Sequence, residues 1–334
     1  MRWRYLALAI VCLLLALAIG SWRAYQNAWE TPIVQNASVT LDIPKGASLN
    51  QIIANLHAQQ LEFSPIWFKV MAYQLKLAGR LQAGEYELKQ GATMPNVLQQ
   101  LAEGKVKQYS LTFPEGWCFK DMLALLNSAP NLQHTLSTLE PNAILQALGL
   151  NDTTTAEGWF FPATYSYTKD MTDAAILKRA YQKQREVLAQ EWENKQADLP
   201  LANPYQALIL ASIIEKETAD ATERTQIAGV FVRRLQKGML LQTDPTVIYG
   251  MGAAYHGNIR RKDLTTATPY NTYMVAGLPP TPIAMPGREA IHAALHPAEG
   301  KSLYFVAKGE GKHEFSETLE AHTLAVKKYQ IKHL

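Results

Sequence analysis

The segment ASIIEKETA, Ala211–Ala219, sets two carboxylates, Glu215 and Glu217, in an otherwise apolar helical run. At about 100° of turn per residue, the two glutamates point about 200° apart and cannot share a face. Glu217 falls above Ile214, Ile213 and Leu210, whereas Glu215 falls above Ser212 and Ala211. A carboxyl held against large aliphatic side chains loses hydration of its charged form, which raises its pKa above the reference of about 4.3. Such a glutamic acid stays protonated near neutral pH and can donate to a glycosidic oxygen. The same position also suits an ordinary solvent-facing glutamate, so spacing alone makes Glu217 a candidate.

Other groups of residues could serve a site around it. LQTDPTVIYGMG, Leu241–Gly252, places Gln242, Thr243 and Thr246 about an Asp244–Pro245 pair that favours a turn. YNTY, Tyr270–Tyr273, and the proline-stiffened GLPPTPIAMPG, Gly277–Gly287, follow; EGWFFPATY, Glu157–Tyr165, adds a cluster with Trp159. Tyrosines beside a rigid loop suit a polysaccharide cleft, where sugar rings lie on flat side chains, and equally suit core packing. Two other chemistries are weighed, a serine nucleophile, which is rejected, and a metal site, which is disfavoured. Lys216 follows Ser212 by four residues where the S-x-x-K nucleophile motif needs three. His292 and His296 stand one helical turn apart, but no HExxH accompanies them and Pro297 ends the helix, so they read as a structural or exposed pair. No metal and no cofactor are expected.

The elements that must hold these residues are mostly helical after Pro130. Helices are predicted from about Asp173 to Asn194, Pro204 to Thr218 and Glu223 to Lys237, with irregular Gly-, Pro-, Thr- and Tyr-rich chain beyond Met239. Upstream, one pattern occurs three times, as IPKGASLNQIIANL, LKQGATMPNVLQQL and FPEGWCFKDMLALL. In each, a strand-like run enters a turn at Gly46, Gly91 or Gly116, and a helix N-cap follows at Ser48, Thr93 or Cys118; cysteine is a poor cap. Apolar residues then recur at helical spacing. The unequal intervals between copies argue against a solenoid. A further apolar-periodic stretch, Ser64–Leu77, makes the order across residues 38–89 strand, helix, helix, strand, which resembles a LysM-like module, a fold that binds N-acetylglucosamine-containing glycans.

The N-terminus is different in kind. Tyr5 to Trp22 carries no charge and is about long enough to cross a bilayer core, which needs on the order of 20 residues. Arg2 and Arg4 precede it and Trp3, Tyr5 and Trp22 sit at its borders, so the span is oriented with the N-terminus in the cytoplasm and the rest outside. The rival is a cleaved signal peptide, against which stand the length of the apolar run and the bulky Trp22–Arg23 after Gly20–Ser21. A lipoprotein at Cys12 is disfavoured by Val11 and by the apolar run continuing past it. Cys118 then has no partner for a disulfide. A net charge of +3 with no basic run points away from nucleic acid.

Taken in order, EGWFFPATY, ASIIEKETA, VFVRRLQKGMLLQTDPTVIYGMG, YNTY, GLPPTPIAMPG and LYFVAKGEGKHEFSETLEAH resemble the endolytic murein transglycosylase family over about residues 38–330. The resemblance implies a single-pass bacterial inner-membrane lyase with a periplasmic catalytic part. Such an enzyme cuts the β-1,4 bond between N-acetylmuramic acid and N-acetylglucosamine, leaves 1,6-anhydro ends and terminates nascent strands. It implies that the second glutamate of E-K-E-T, here Glu217, is catalytic, and that peptidoglycan synthases are partners. One departure is Ala163, where the family usually carries an acidic residue, which puts any polar role at that place in doubt. Gln242, Thr243, Asp244, Tyr270, Asn271, Tyr273 and Trp159 are assigned to substrate binding.

The expected fold class is α+β: a transmembrane helix, a small βααβ LysM-like subdomain, and a mixed α/β catalytic domain whose central buried helix carries Glu217. The expected segments are a cytoplasmic tail (1–4), a span (5–22), a linker (23–37), the LysM-like subdomain (38–90), strand–helix connecting units (91–130) and the catalytic domain (131–334). Two alternatives stay open: a water-using, lysozyme-like muramidase with Asp244 as second carboxylate, and an inactive peptidoglycan-binding scaffold.

Overall fold

The computed structural model describes residues 2–138, 140–151, 153–218 and 220–330. Met1 of the expected tail, Ala219 at the end of ASIIEKETA, and Leu139, Asp152 and residues 331–334 of the expected catalytic segment lie outside the described residues. The fold is mixed α and β. The chain divides into two compact units, residues 1–109 with 167–170, and residues 110–166 with 171–334.

In the first unit, helix α1 (Arg2–Glu30) carries the apolar run and continues through residues 23–30, where the sequence suggested a connector. Among the described residues it is the one helix long and apolar enough to cross a membrane, a test that a signal sequence also meets. Then come β1 (Val39–Ile43), α2 (Leu49–Ala58), α3 (Pro65–Gln74), β2 (Gly84–Leu88) and α4 (Met94–Glu103). β1 and β2 pair antiparallel, with Val39 opposite Leu88 and Ile43 opposite Gly84. Strand alternation turns Leu41, Ile43, Tyr86 and Leu88 inward, onto Ile52, Leu56, Phe68, Met71, Leu98 and Leu101.

The three sequence copies share their turn chemistry. Gly46, Gly91 and Gly116 have φ of 77°, 84° and 75°, the left-handed region that a Cβ disfavours. Behind each, the third helical residue reaches back: Gln51, Asn96 and Asp121 side-chain oxygens accept the backbone N–H of Ser48 (2.7 Å), Thr93 (3.1 Å) and Cys118 (3.0 Å). The weak cap that cysteine makes is therefore reinforced, since the Cys118 thiol also donates to Asp121 at 3.0 Å.

The second unit takes in β3 (Tyr109–Thr112) from Ser110, α5 (Phe119–Ser128), α6 (Pro141–Leu148), β4 (Thr164–Tyr167) up to Ser166, α7 (Asp173–Glu193), α8 (Pro204–Glu217) and α9 (Arg224–Gln236). Then follow α10 (Asp244–Met251), α11 (Arg261–Thr265), α12 (Arg288–Leu295), β5 (Tyr304–Gly309), β6 (Lys312–Ser316) and α13 (Leu319–Tyr329). β3 pairs with β4 and β5 with β6, each a two-stranded sheet. Helix α8 starts at the Asn203 cap, which accepts the Gln206 N–H at 3.0 Å, with Pro204 in its first turn. Every residue from Ala207 to Ile214 is buried, so α8 is apolar all round and lies at the centre of α7, α9 and α12. Asp244–Pro245, read in the sequence as a turn, instead opens α10, because proline's fixed φ and missing N–H suit a first helical turn.

Two sequence motifs meet at Gly158. Its φ is 81°, and a Cβ there would stand 2.5 Å from Pro282 of the proline-rich loop. Gly158→Ala therefore adds backbone strain and a steric clash together, and should lower stability by about 2–4 kcal/mol in urea unfolding.

Candidate active site

The last turn of α8 leaves the core and brings Glu217 to the wall of a cavity of about 420 Å³. Arg234, Gln242, Asp244, Tyr273, Tyr304, His313 and His322 are among its other lining residues. The Thr243 hydroxyl donates to Glu217 Oε1. The Glu217 pKa is pushed up to about 7, first by burial and then by the nearby Asp244 charge; the Thr243 hydrogen bond and His313 act in the opposite direction. As the last helical residue, Glu217 also meets the partial negative charge of the α8 C-terminus, which disfavours its ionised form. The residue as a whole is half-buried, at the wall of the cavity.

Glu215 goes the other way, as the helical spacing requires. Its Oε2 accepts the Gly287 N–H at 2.9 Å, and Oε1 lies 3.9 Å from the buried Arg224 guanidinium. Burial raises its pKa too. Its partners are a backbone amide and a structural arginine, so it ties α8 to the proline-rich loop and to α9. Ser212 is likewise committed: it donates to the Ile209 carbonyl at 2.7 Å and accepts the Ile283 N–H at 3.0 Å.

The chain after α9 is bent to serve the cavity. Gln242 takes a left-handed φ of 51°, and its N–H donates to the Thr272 carbonyl at 3.0 Å. Such a non-glycine conformation persists only where its surroundings fix it. Here Arg234 does so, donating to the carbonyls of Leu240 (3.0 Å), Leu241 (2.9 Å) and Leu303 (2.7 Å) while its guanidinium lies 5.0 Å from the Tyr304 ring. Thr243, Thr246 and Thr272 form a buried hydroxyl network behind Glu217: Thr272 Oγ1 accepts the Thr243 N–H at 3.1 Å, and Thr246 and Thr272 hydroxyls are 2.9 Å apart. The Tyr273 hydroxyl donates to Asp244 Oδ1 at 2.6 Å.

Of the residues assigned to substrate binding, Gln242, Asp244 and Tyr273 share the cavity wall with Glu217, and Thr243 touches its carboxyl. The other three stand elsewhere. Asn271 is fully buried, and its amide donates to the carbonyls of Asp263, Leu264 and Thr266, which closes the YNTY loop. Tyr270 hydrogen-bonds Thr281 at 2.8 Å and packs edge-on against Tyr249. Trp159 stacks on Tyr205 at 5.7 Å, against the α8 core. None of the three lines the cavity beside Glu217, and the contacts that each makes are packing contacts.

Sequence reasoning did not single out three buried glutamates, Glu223, Glu157 and Glu191. Glu223 accepts from both the backbone N–H and Nδ1 of His313 (3.0 and 2.8 Å to Oε2), which fixes the ring so that Nδ1 carries a proton. Glu157, noted only as part of an aromatic motif, accepts from the Phe119 N–H (3.0 Å) and the Tyr249 hydroxyl (3.1 Å), and burial pushes its pKa up to about 7. Glu191, His292 and His296 come close enough to suggest a metal site. Yet Glu191 binds Arg288 (2.6 Å) and His292 Nδ1 (2.9 Å), while both His296 nitrogens lie by backbone carbonyls. This is a hydrogen-bonded clasp between α7 and α12.

A sequence model of the YceG-like family matches residues 41–328. A Bacillus subtilis protein named endolytic murein transglycosylase is 31% identical over 94% of this chain and 91% of its own length. A Streptococcus pneumoniae protein of the same name is 27% identical over 94% of this chain, which spans 63% of that longer protein. A crystal structure of a yceG-like protein from Listeria monocytogenes, 29% identical, superposes with a TM-score of 0.53 over 86% of this chain and 99% of its own.

The raised pKa of Glu217 ties stability to pH. A carboxyl whose folded-state pKa stands above its unfolded value favours folding when protonated, and this contribution is lost as pH rises from about 4.5 through about 7. For Glu217 the loss is up to about 3 kcal/mol, less where water enters the cavity. Glu217→Gln should therefore raise Tm above wild type at pH 8, with the difference vanishing near pH 4.5.

Proposed function

The chain belongs to the YceG-like family, and from that premise we infer that it is an endolytic murein transglycosylase, a lyase acting on the glycan strands of peptidoglycan. What carries the site reading is one carboxyl with a pKa of about 7 at the wall of a cavity lined by tyrosines and hydrogen-bonding groups. Glu217 is the proposed catalytic residue. Protonated, it gives its proton to the bridging O4 of the departing N-acetylglucosamine as the C1–O4 bond breaks and positive charge develops at C1 of N-acetylmuramic acid. The resulting carboxylate takes the proton of the C6 hydroxyl, whose oxygen attacks C1. One proton leaves Glu217 and one returns, and the product carries a 1,6-anhydro ring. A second carboxylate, which ordinary glycosidases need to attack C1 or activate water, has no task here because the substrate supplies its own nucleophile.

Gln242, Asp244 and Tyr273 are proposed to position the sugars. Thr243 holds the Glu217 carboxyl against rotation. In the wider reading, α1 is an uncleaved single-pass anchor with the N-terminus cytoplasmic, the β1–α2–α3–β2 module is LysM-like and grips N-acetylglucosamine, and peptidoglycan synthases are partners. The continuous helix from span into module supports the anchor. The water-using alternative would take Asp244 as its base; Asp244 lines the same cavity, with Oδ1 accepting the Tyr273 hydroxyl.

Digestion of purified glycan strands tests the assignment. Glu217→Gln should cut the yield of anhydro ends by about 10²-fold or more, the scale of a lost general acid–base, with the fold retained. Loss of activity in Glu215→Gln but not in Glu217→Gln would refute it, and reducing ends in place of anhydro ends would mark a hydrolase. Because the Asp244 charge raises the Glu217 pKa, Asp244→Asn should move the alkaline limb of the pH–rate profile to lower pH.

A further inference from the structure

Helix α3 is apolar on two opposite sides. Phe68, Met71 and Ala72 are buried in the first core, while Ile66, Val70 and Tyr73 are 70%, 41% and 70% exposed. At about 100° per residue these two sets lie diametrically across the helix, which leaves a contiguous apolar stripe facing outward. An apolar stripe in water costs free energy and marks a contact surface.

The flank of α3 between the two stripes is held to α1. Trp67 meets the Tyr25 ring edge-on at 5.6 Å, and the Tyr25 hydroxyl donates to Gln74 Oε1 at 2.5 Å. Tyr25 also contacts Trp22 and Trp29, so an aromatic ladder runs up the end of α1 into the module. The attachment is tightened by the chain beyond α1, where Ile33 and Val34 are buried and Pro32 bridges to Thr93. The module is thus fixed directly on the helix end.

The depth of that attachment identifies the partner. Trp22 closes the uncharged run, and Tyr25 stands about 4.5 Å further along the helix axis. The polar layer of a bilayer extends about 5–8 Å beyond its hydrocarbon core, so a helix pressed against Tyr25 lies at headgroup depth. Lys69 borders the stripe and exposed Lys76 follows the helix end, where long ammonium side chains can reach lipid phosphates while their stems stay in apolar surroundings.

We propose that the Ile66–Val70–Tyr73 face of α3 rests in the outer headgroup layer of the same bilayer that α1 spans, as a second, monotopic contact. The inference rests on the reading of α1 as an uncleaved anchor. The full-length chain with Cys12→Ser and Cys118→Ser can carry a single cysteine at Ile66, Tyr73 or, as a control on β2, Glu87. Each form is labelled with a polarity-sensitive fluorophore and reconstituted into phosphatidylethanolamine–phosphatidylglycerol vesicles containing a lipid spin-labelled near its headgroup. Labels at positions 66 and 73 should be quenched several-fold more than the label at 87, at every protein-to-lipid ratio. Equal quenching at all three sites, in a chain that resists alkaline carbonate extraction, would overturn the contact and leave the anchor standing. Shielding that grows with protein density would overturn it in favour of a second copy of the chain. Release of the chain by carbonate would overturn the anchor and the contact together.

Discussion

The second unit is organised by one constraint: a desolvated carboxyl stands at the end of a helix whose central turns are completely buried. Eight consecutive buried residues, Ala207–Ile214, fix α8 in place, and no rotation of the helix could carry Glu217 away from the cavity without drawing those side chains out. The carboxyl is then balanced between opposing neighbours. Burial, the Asp244 charge and the helix C-terminus favour the protonated form, while the Thr243 hydroxyl and the His313 side chain favour the ionised one. A group poised in this way can both give and take a proton near neutral pH, which a single-carboxyl mechanism demands. The arrangement has a thermodynamic consequence: the ionised form destabilises the fold, so the side chain proposed to do the chemistry is also a local weakness.

How much of this was readable in sequence depended on how local the determining contacts are. The different faces of Glu215 and Glu217 follow from helical spacing alone, and the structure sends them to Gly287 and to Thr243. The three glycine turns and their helices are also local, as are the boundaries of α7, α8 and α9. The His313 clasp was not legible, because Glu223 lies 90 residues earlier and meets it only after β6 has folded back. Arg234 gave no signal among the other basic residues, although it fastens Leu240, Leu241 and Leu303 around the cavity. The sequence alone could not place Asn271, Tyr270 and Trp159 relative to Glu217, because sugar clefts and loop cores draw on the same amide and aromatic side chains; the structure sets them apart from the cavity beside Glu217. The helical continuation through residues 23–30 was hidden for a similar reason, since its polar composition reads as connector until Tyr25 and Trp29 are seen against the module.

Raised carboxyl pKa values are often taken to mark a catalytic acid, yet three glutamates of this unit share the property. Glu157, Glu215 and Glu217 are all shifted upward by burial before anything else. Their partners distinguish them. Glu157 is satisfied by the Phe119 amide and Tyr249, and Glu215 by the Gly287 amide with Arg224 nearby, so each links distant stretches of chain. Glu217 has a single hydroxyl donor and an open cavity on its other side. Desolvation alone is a poor criterion, because structural carboxylates also shift. The discriminating feature is unspent hydrogen-bonding capacity directed at a space that a substrate can enter. Of the three, that space adjoins Glu217.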